Sequence, residues 1–465
     1  MTELTKLTNL SQYFNKINGT ILQINPYFNT SLDLIEIDKD ITEIIFIENI
    51  ATCNNKYNYN KYQQSMFNCS ISGNNLKTNK LTHLKFGNKF NKSIDILMSN
   101  LHYLTDLSFG DEFDQVINIL PPLLTHLTFK NNYGNKTSIH KEILKKNSNL
   151  INLEFGDSFN SPISELPSKL TCLKFGNSFN HYIMEYPQVL THLIFGNDYN
   201  QSIDNLPSTI ILLKLSHSFC KSVNILEHQT KLEELEITYK YNCDINILPT
   251  RLKKLCIDCR TNIYFDLFPQ NLTHLKISGS FDISIDNLPI SLKYLNFLSS
   301  NFNGIVDNLP TQLIHLTLSH NFNKSVDNLP ISLEYLFLGN CFNNTIDNLP
   351  YSLTELILET FNCILIENLP QNIESINFLQ NCFECNLECL PQNLKKIKIL
   401  SNSYFNDTLD NLPDTIEHIE LHMHYTYEIK KIPKNLKLLI CCNKYQWLDK
   451  LVELNYFNKF VIQLY

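Results

Sequence analysis

The sequence predicts a parallel β-solenoid of about 18 turns, each 20–22 residues long. Three short motifs recur in the same order along most of the chain: Asn-Leu-Pro, the six-residue pattern L-x-x-L-x-F/I/L, and Phe-Asn. Self-similarity at a fixed period of this length is typical of stacked structural units. The motifs therefore predict one supersecondary unit that is repeated, with each copy packed against the next.

The L-x-x-L-x-F/I/L pattern predicts a β-strand in every turn. Its last two apolar residues are two positions apart, which places both on one face of a strand. A single strand cannot bury that face, so stacked copies are expected to form a parallel sheet with a continuous core. The 18 copies begin at Leu81, Leu104, Leu124, Leu150, Leu170, Leu190, Ile210, Leu232, Leu252, Leu272, Leu292, Leu313, Leu333, Leu353, Ile373, Leu394, Ile416 and Leu436, and a nineteenth may be counted from Ile41.

The return path of each turn is predicted to be extended, with short 3-10 segments at most. About 14 residues remain for it, which is too short for a crossover with a full helix, and the recurrent proline disfavours a helix there. The Phe-Asn motif predicts an inward aromatic spine followed by a ladder of amides that satisfy backbone groups where the strand ends. The clearest copies are Phe90-Asn91, Phe159-Asn160, Phe179-Asn180, Phe302-Asn303, Phe322-Asn323 and Phe342-Asn343.

The motifs divide the chain into three segments. Residues 81–440 are the predicted solenoid, residues 1–80 an N-terminal cap or degenerate repeats, and residues 441–465 a C-terminal cap with the only Trp, Trp447. Apolar residues at helical spacing predict a short helix over residues 3–14. Breaks in the period predict an insertion over residues 138–149 and an atypical turn near residues 223–232.

Bulk composition argues against several classes of function. The chain has 38 basic and 46 acidic residues, a net charge of −8, and no basic excess that would favour nucleic acid or an anionic membrane. It contains neither G-x-x-x-x-G-K nor G-x-G-x-x-G, and neither a signal-peptide h-region nor a run of 18 apolar residues. We therefore expect a cytoplasmic protein with no nucleic-acid or membrane partner, no cofactor and its 14 Cys as thiols.

The second variable position of L-x-x-L faces outward and carries the candidate binding residues. Aromatic side chains contribute disproportionately to protein interfaces. We therefore predict a protein-binding centre formed by exposed aromatic residues and their neighbours, namely His274, Tyr294, His315, Tyr335 and Phe337.

Other polar clusters are expected to be structural. His274 and His315 are two strands apart, too far for easy shared metal ligation, and Cys256-x-x-Cys259 lies far from the cysteines near residue 382. No nucleophile, base and orienting group can be assembled by spacing, so neither a metal site nor catalytic residues are predicted. Opposite charges on successive strands, such as Glu233 and Glu234 before Lys253 and Lys254, are expected to pair.

The repeat resembles the FNIP repeat, a leucine-rich-repeat relative named for its Phe-Asn…Ile…Pro pattern. The resemblance is carried by segments such as FNKSVDNLPISLEYLFLGN at residues 322–340 and FNNTIDNLPYSLTELILET at residues 342–360. It implies a leucine-rich-repeat-like solenoid of the kind found in slime-mould amoebae and in giant viruses that infect amoebae. Some members of that family carry an N-terminal F-box, but its usual L-P-x-E-I/L opening is absent from residues 1–80.

Two hypotheses of function follow. The first is a monomeric, non-enzymatic scaffold that binds a partner protein through the exposed sheet, in the host-cell cytoplasm if the source is viral. The alternative is a substrate-recognition adaptor of a ubiquitin ligase whose F-box has diverged, with a ligase scaffold as its partner. An enzyme is disfavoured because any catalytic group would have to lie in the caps.

Overall fold

The computed structural model describes most of the chain. The residues described are 13–25, 27–29, 31–34, 37, 39–47, 67–72, 80–130, 144, 149–221, 223–238, 248–259, 268–279, 285, 287–297, 301–360, 366, 368–379, 387–400, 408–423, 425–458 and 460–464. The chain divides into two compact units, residues 1–232 and residues 233–465. The boundary between cap and solenoid at residue 81 remains a prediction.

The first unit contains a sheet in which β2 to β10 run parallel, each paired with the next. An antiparallel hairpin adds β1 to the outer edge of β2. The strands are β1 Phe14–Ile17, β2 Ile21–Ile24, β3 Glu43–Phe46, β4 His83–Lys85, β5 Asp106–Phe109, β6 His126–Phe129, β7 Asn152–Glu154, β8 Cys172–Lys174, β9 His192–Ile194 and β10 Leu212–Leu215.

The second unit repeats this arrangement with β11 to β22, again parallel and paired in sequence order. The strands are β11 Glu234–Thr238, β12 Lys254–Cys259, β13 His274–Gly279, β14 Tyr294–Asn296, β15 His315–Thr317, β16 Tyr335–Leu338, β17 Glu355–Leu358, β18 Ser375–Phe378, β19 Lys396–Ile399, β20 His418–Leu421, β21 Leu438–Cys441 and β22 Val461–Leu464.

All 18 predicted copies of the L-x-x-L-x-F/I/L pattern form strands, and so does the nineteenth at Ile41, which gives β3. Each of these strands begins at the second variable residue of its copy. The first leucine and the two apolar residues that follow are buried in turn after turn, as in Leu333, Leu336 and Leu338. The spacing of apolar residues therefore fixed both the strand positions and the buried face.

The return segments contain little regular structure, as predicted, but the expectation of 3-10 turns at most is wrong in one of them. The described residues include a short α-helix, α1 (Asp95–Asn100), in a turn that lacks the recurrent proline, besides the 3-10 turns Leu32–Leu34, Asn224–His228, Leu387–Cys389 and Leu409–Asn411. The atypical turn predicted near residues 223–232 contains one of these 3-10 turns. Most of the predicted insertion over residues 138–149 lies outside the described residues, although Leu144 is buried.

Two columns of aromatic rings fill the core of the first unit. Phe175, the last residue of its strand motif, stacks on Phe155 and Phe195 in the adjacent turns at 5.3 and 5.6 Å between ring centroids. It also stacks on Phe179 of its own turn at 3.9 Å. The predicted spine of Phe-Asn phenylalanines is confirmed, for Phe159 and Phe179 are 5.9 Å apart and nearly parallel. In the second unit, Phe302, Phe322 and Phe342 form an equivalent stack.

The predicted asparagine ladder is also confirmed. The Oδ1 atom of one Phe-Asn asparagine accepts a hydrogen bond from the backbone N–H of its equivalent in the next turn. Asn323 N donates to Asn303 Oδ1 at 2.8 Å, and Asn343 N donates to Asn323 Oδ1 at 2.9 Å. The same bond joins Asn200 N to Asn180 Oδ1 at 2.9 Å in the first unit. These amides satisfy backbone donors just beyond the strands.

The ends of the described chain differ from the repeats. Of the helix predicted over residues 3–14, Phe14 lies in β1 and the residues up to 12 lie outside the described residues. At the other end, α2 (Leu448–Asn458) precedes β22, which pairs with β21. Trp447 Nε1 donates to the carbonyl of Thr426 at 2.9 Å, and Lys450 Nζ lies 4.6 Å from the Trp447 ring centroid.

The ladder predicts the effect of removing one amide. Asn323→Ala should lower the free energy of unfolding by up to about 1 kcal/mol, because the backbone N–H of Asn343 and the side-chain amide of Asn344 both lose their acceptor. Asn323→Asp keeps an acceptor oxygen and should retain most of the stability. Urea denaturation of both variants measures the difference, and equal losses in the two would contradict a role for the acceptor.

Candidate functional site

Four of the five predicted binding residues form a continuous column on the outward face of β13 to β16. The parallel register pairs His274 with Tyr294, Tyr294 with His315, and His315 with Tyr335. Every member therefore occupies the same repeat position on neighbouring strands. We call His274, Tyr294, His315 and Tyr335 the aromatic column.

The rings of the aromatic column stack on each other. His274 and Tyr294 have ring centroids 4.2 Å apart with an interplanar angle of 9°, and His315 and Tyr335 are 3.9 Å apart at 6°. Tyr294 and His315 are 5.7 Å apart and tilted by 36°. Because neighbouring rings occupy each other's faces, the ring edges are left for contact with a partner. Tyr294 is exposed, whereas His274, His315 and Tyr335 are half-buried.

Hydrogen bonds assign the tautomer of His274. Thr273 Oγ1 donates to the carbonyl of Lys253 at 3.0 Å and lies 2.9 Å from His274 Nδ1. The Thr273 hydroxyl has a single proton, and it donates that proton to the carbonyl. The hydroxyl oxygen therefore accepts a hydrogen bond from Nδ1–H of the His274 imidazole. Nε2 of His274 is then left as a hydrogen-bond acceptor. His315 is held differently, with Nε2 3.2 Å from Thr317 Oγ1.

The electrostatic environment keeps the aromatic column neutral. Burial lowers the pKa of His274, and Lys254 lowers it further against the opposing effect of Glu234. Burial also lowers the pKa of His315, with a smaller contribution from His274. Burial, followed by the nearby Glu355 carboxylate, raises the pKa of Tyr335 to about 12. At neutral pH the column therefore offers uncharged, polar edges.

The prediction that Phe337 is exposed is wrong. Phe337 follows Tyr335 on the outward face of β16, but only 6% of its surface is accessible. The His320 ring meets it edge-on, with centroids 6.3 Å apart at 83°. His320 Nδ1 lies 3.0 Å from Glu359 Oε2, and this contact holds the imidazole beside Phe337. Strand alternation does not reveal a cover contributed by the segments that follow neighbouring strands.

A second set of exposed apolar residues, which sequence reasoning missed, precedes three of the outward strand positions. Ile290, Ile331 and Tyr351 are 64%, 87% and 69% exposed, respectively. Each directly follows the proline of its turn and precedes the outward strand position by four residues. We call these three residues the post-proline row. The signal was available, since large apolar residues at a variable, non-core position of a repeat indicate a contact surface.

The charge pairs predicted between adjacent strands are present. Lys253 Nζ lies 2.8 Å from Glu233, and Lys254 Nζ lies 2.7 Å from Glu234. Lys395 pairs with Glu374 at 2.6 Å. All of these side chains are substantially exposed, so each pair contributes little to stability by itself but favours the correct strand register.

In the part of the chain that the structure describes, the His, Cys, Asp and Glu side chains form no group of three or more that could hold a metal ion. Cys256 lies on β12 as expected and is half-buried, while Cys382 and Cys385 fall outside the described residues. No described helix is both long and apolar enough to cross a membrane.

Stacked parallel strands, short return segments and in-register side-chain columns define a leucine-rich-repeat-like solenoid. Within that class, the family model described as FNIP Repeat matches residues 142–178, 262–300 and 301–341. These three segments are therefore similar to FNIP repeats. The second and third matches contain the whole aromatic column, so the candidate site lies in well-formed repeats.

Solved structures show the same architecture. The chain is 27% identical to the giant-virus protein CroV588, described as a novel circular leucine-rich-repeat protein, with a TM-score of 0.65 over 93% of this chain and 77% of that one. The chain is 15% identical to TLR13 in its complex with ssRNA13, with a TM-score of 0.55 over 91% of this chain and 74% of that one. No curated protein sequence matches the chain.

The lowered pKa values predict a pH dependence of stability. Because the unfolded imidazoles bind protons near the ordinary value of 6.5 and the folded ones more weakly, stability is fully present above that pH and is lost as the pH falls below it. Replacing both with His274→Gln and His315→Gln should flatten the decline. Thermal unfolding between about pH 7.5 and about pH 5 tests this, and an unchanged slope in the variant would contradict it.

Proposed function

We propose that this protein is a non-enzymatic scaffold that binds a partner protein through the outward face of its sheet, with the aromatic column at the centre of the contact. The observation that carries the proposal is the column itself, four neutral rings at one repeat position on four adjacent strands. The post-proline row adds exposed apolar surface in the turns of β14, β16 and β17.

The physical argument rests on where the rings lie. Leucine-rich-repeat-like solenoids offer variable side chains at fixed intervals on a rigid sheet, which suits protein recognition. Stacked rings lose little conformational entropy on binding because their neighbours already hold them. Tyrosine is enriched among residues that dominate binding energy, and large exposed apolar residues in neighbouring turns mark interaction surfaces.

The alternative role as a ubiquitin-ligase adaptor remains a prediction from the family resemblance. It depends on residues 1–80, of which a large part lies outside the described residues. The expected cytoplasmic location and monomeric state likewise remain predictions. No feature of the described residues favours the adaptor over the scaffold.

Replacing both tyrosines of the column tests the proposal. Tyr294→Ala with Tyr335→Ala should weaken capture of the partner by at least about tenfold, because hot-spot tyrosines typically contribute more than 1 kcal/mol each. Quantitative mass spectrometry of pull-downs from an amoebal lysate, with wild type and variant in parallel, provides the measurement. Circular dichroism should show that the variant remains folded.

A matched control keeps the comparison specific. His192→Ala with Lys396→Ala changes the same outward repeat position on β9 and β19, away from the aromatic column. This control should capture the same proteins as the wild type. If the folded tyrosine variant retains every protein that the control retains, the column is not the centre of binding.

A further inference from the structure

Charged residues around the aromatic column are ordered along the sheet. On the first strands of the column, Lys276 of β13 and Lys293, beside β14, are exposed. On the last strands, Glu334 is exposed beside β16 and Glu355 of β17 is half-buried. None of these four side chains forms an ion pair with another described residue. The column therefore has a basic end, Lys276 and Lys293, and an acidic end, Glu334 and Glu355.

We propose that this surface binds an amphipathic α-helix of the partner protein, laid across the strands with its N-terminus over the basic end and its C-terminus over the acidic end. The inference rests on the proposed function and specifies the partner's chemistry. Three features of the surface support it, namely the spacing of the column, its lack of charge together with the exposed post-proline row, and the charge order.

The spacing of the column matches that of a helix. Adjacent strands are about 4.8 Å apart, so four strands place their outward residues over roughly 14 Å. Three turns of an α-helix rise about 16 Å, with one apolar ridge every 5.4 Å or so. A helix that crosses the strands can therefore set about one turn against each ring. An extended segment running along a strand would reach only one or two rings of the column.

The aromatic column and the post-proline row suit the apolar stripe of an amphipathic helix. On a given turn of the solenoid, the post-proline residue precedes the column residue by four positions, as Ile331 precedes Tyr335. Apolar residues at i, i+3, i+4 and i+7 form a stripe wide enough to contact neighbouring rows. The ring faces of the column are already occupied by stacking, which disfavours insertion of a planar ligand between them. Its edges remain open to aliphatic side chains and hydrogen-bond donors.

The charge order selects one direction of the helix. Acidic residues stabilise the N-terminal turn of a helix and basic residues its C-terminal turn, because they oppose the helix dipole. A helix with that arrangement meets Lys276 and Lys293 with its acidic turn and Glu334 and Glu355 with its basic turn. In the reverse direction the same helix would place like charges together, which penalises binding.

Two displayed peptide libraries test the inference. One presents randomised residues on a rigid helical scaffold, and the other presents random linear peptides. Both are selected on the wild-type protein and counter-selected on the Tyr294→Ala, Tyr335→Ala variant. The helical library should yield binders with apolar residues at helical spacing, acidic first turns and basic last turns. Their affinity should fall at least about tenfold on the tyrosine variant.

A charge exchange tests the direction. A selected helix whose acidic and basic turns are exchanged should bind the wild type about tenfold more weakly. The protein variant Lys276→Glu, Lys293→Glu, Glu334→Lys, Glu355→Lys should reverse that preference and favour the exchanged helix. Fluorescence anisotropy with the two synthetic helices measures all four combinations. The comparison of peptides on the wild type stands even if the protein variant fails to fold.

Each contrary result has a definite meaning. Column-dependent binders from the linear library alone would overturn the helical partner and leave the proposed function intact. Equal binding of the two synthetic helices to the wild type would overturn the assigned direction. If neither library yields a binder that depends on the tyrosines, both the helical partner and the aromatic column as a binding centre are wrong.

Discussion

In the described repeats, each strand buries its apolar face against the strands of adjacent turns, and the phenylalanines of the spine stack on their equivalents in the same way. This dependence on the adjacent turn governs the structure. A parallel strand with one apolar face cannot be stable alone. The asparagine Oδ1 atom that accepts the next turn's N–H reinforces the dependence, as Asn323 does for Asn343. A turn that slipped by one residue would lose its strand register, its ring stacking and its amide bond together.

The same register creates the outward surface. Because equivalent positions lie side by side on adjacent strands, the register alone places like residues in columns and opposite charges in pairs. His315 and Tyr335 stack at 3.9 Å for the same reason that Phe322 and Phe342 stack in the core. Core and surface follow one periodicity and differ only in which side of the strand each residue faces.

Periodicity made most of the fold predictable from the sequence. The leucines, the Phe-Asn pairs and the alternation of faces placed the strands, the spine and the outward position of His274, Tyr294, His315 and Tyr335. The burial of Phe337 could not be predicted in this way, because the ring that meets it belongs to His320, which lies outside the strands. The exposure of Ile331 arises before the strand begins, at a position that the strand pattern does not describe. The hairpin of β1 and β2 has no copy of the strand pattern and needed the structure.

The threonine that precedes His274 has a counterpart in Thr191, whose hydroxyl donates to the Thr171 carbonyl at 3.0 Å and lies 2.8 Å from His192 Nδ1. A Thr-His dipeptide at this point of a turn thus carries its own means of orienting the imidazole, independent of the neighbouring side chains. Such a dipeptide could be transplanted from one turn to another by two substitutions that leave the buried leucines untouched. Over evolutionary time, a surface assembled from self-contained units of this kind can change its partner faster than its scaffold changes its shape.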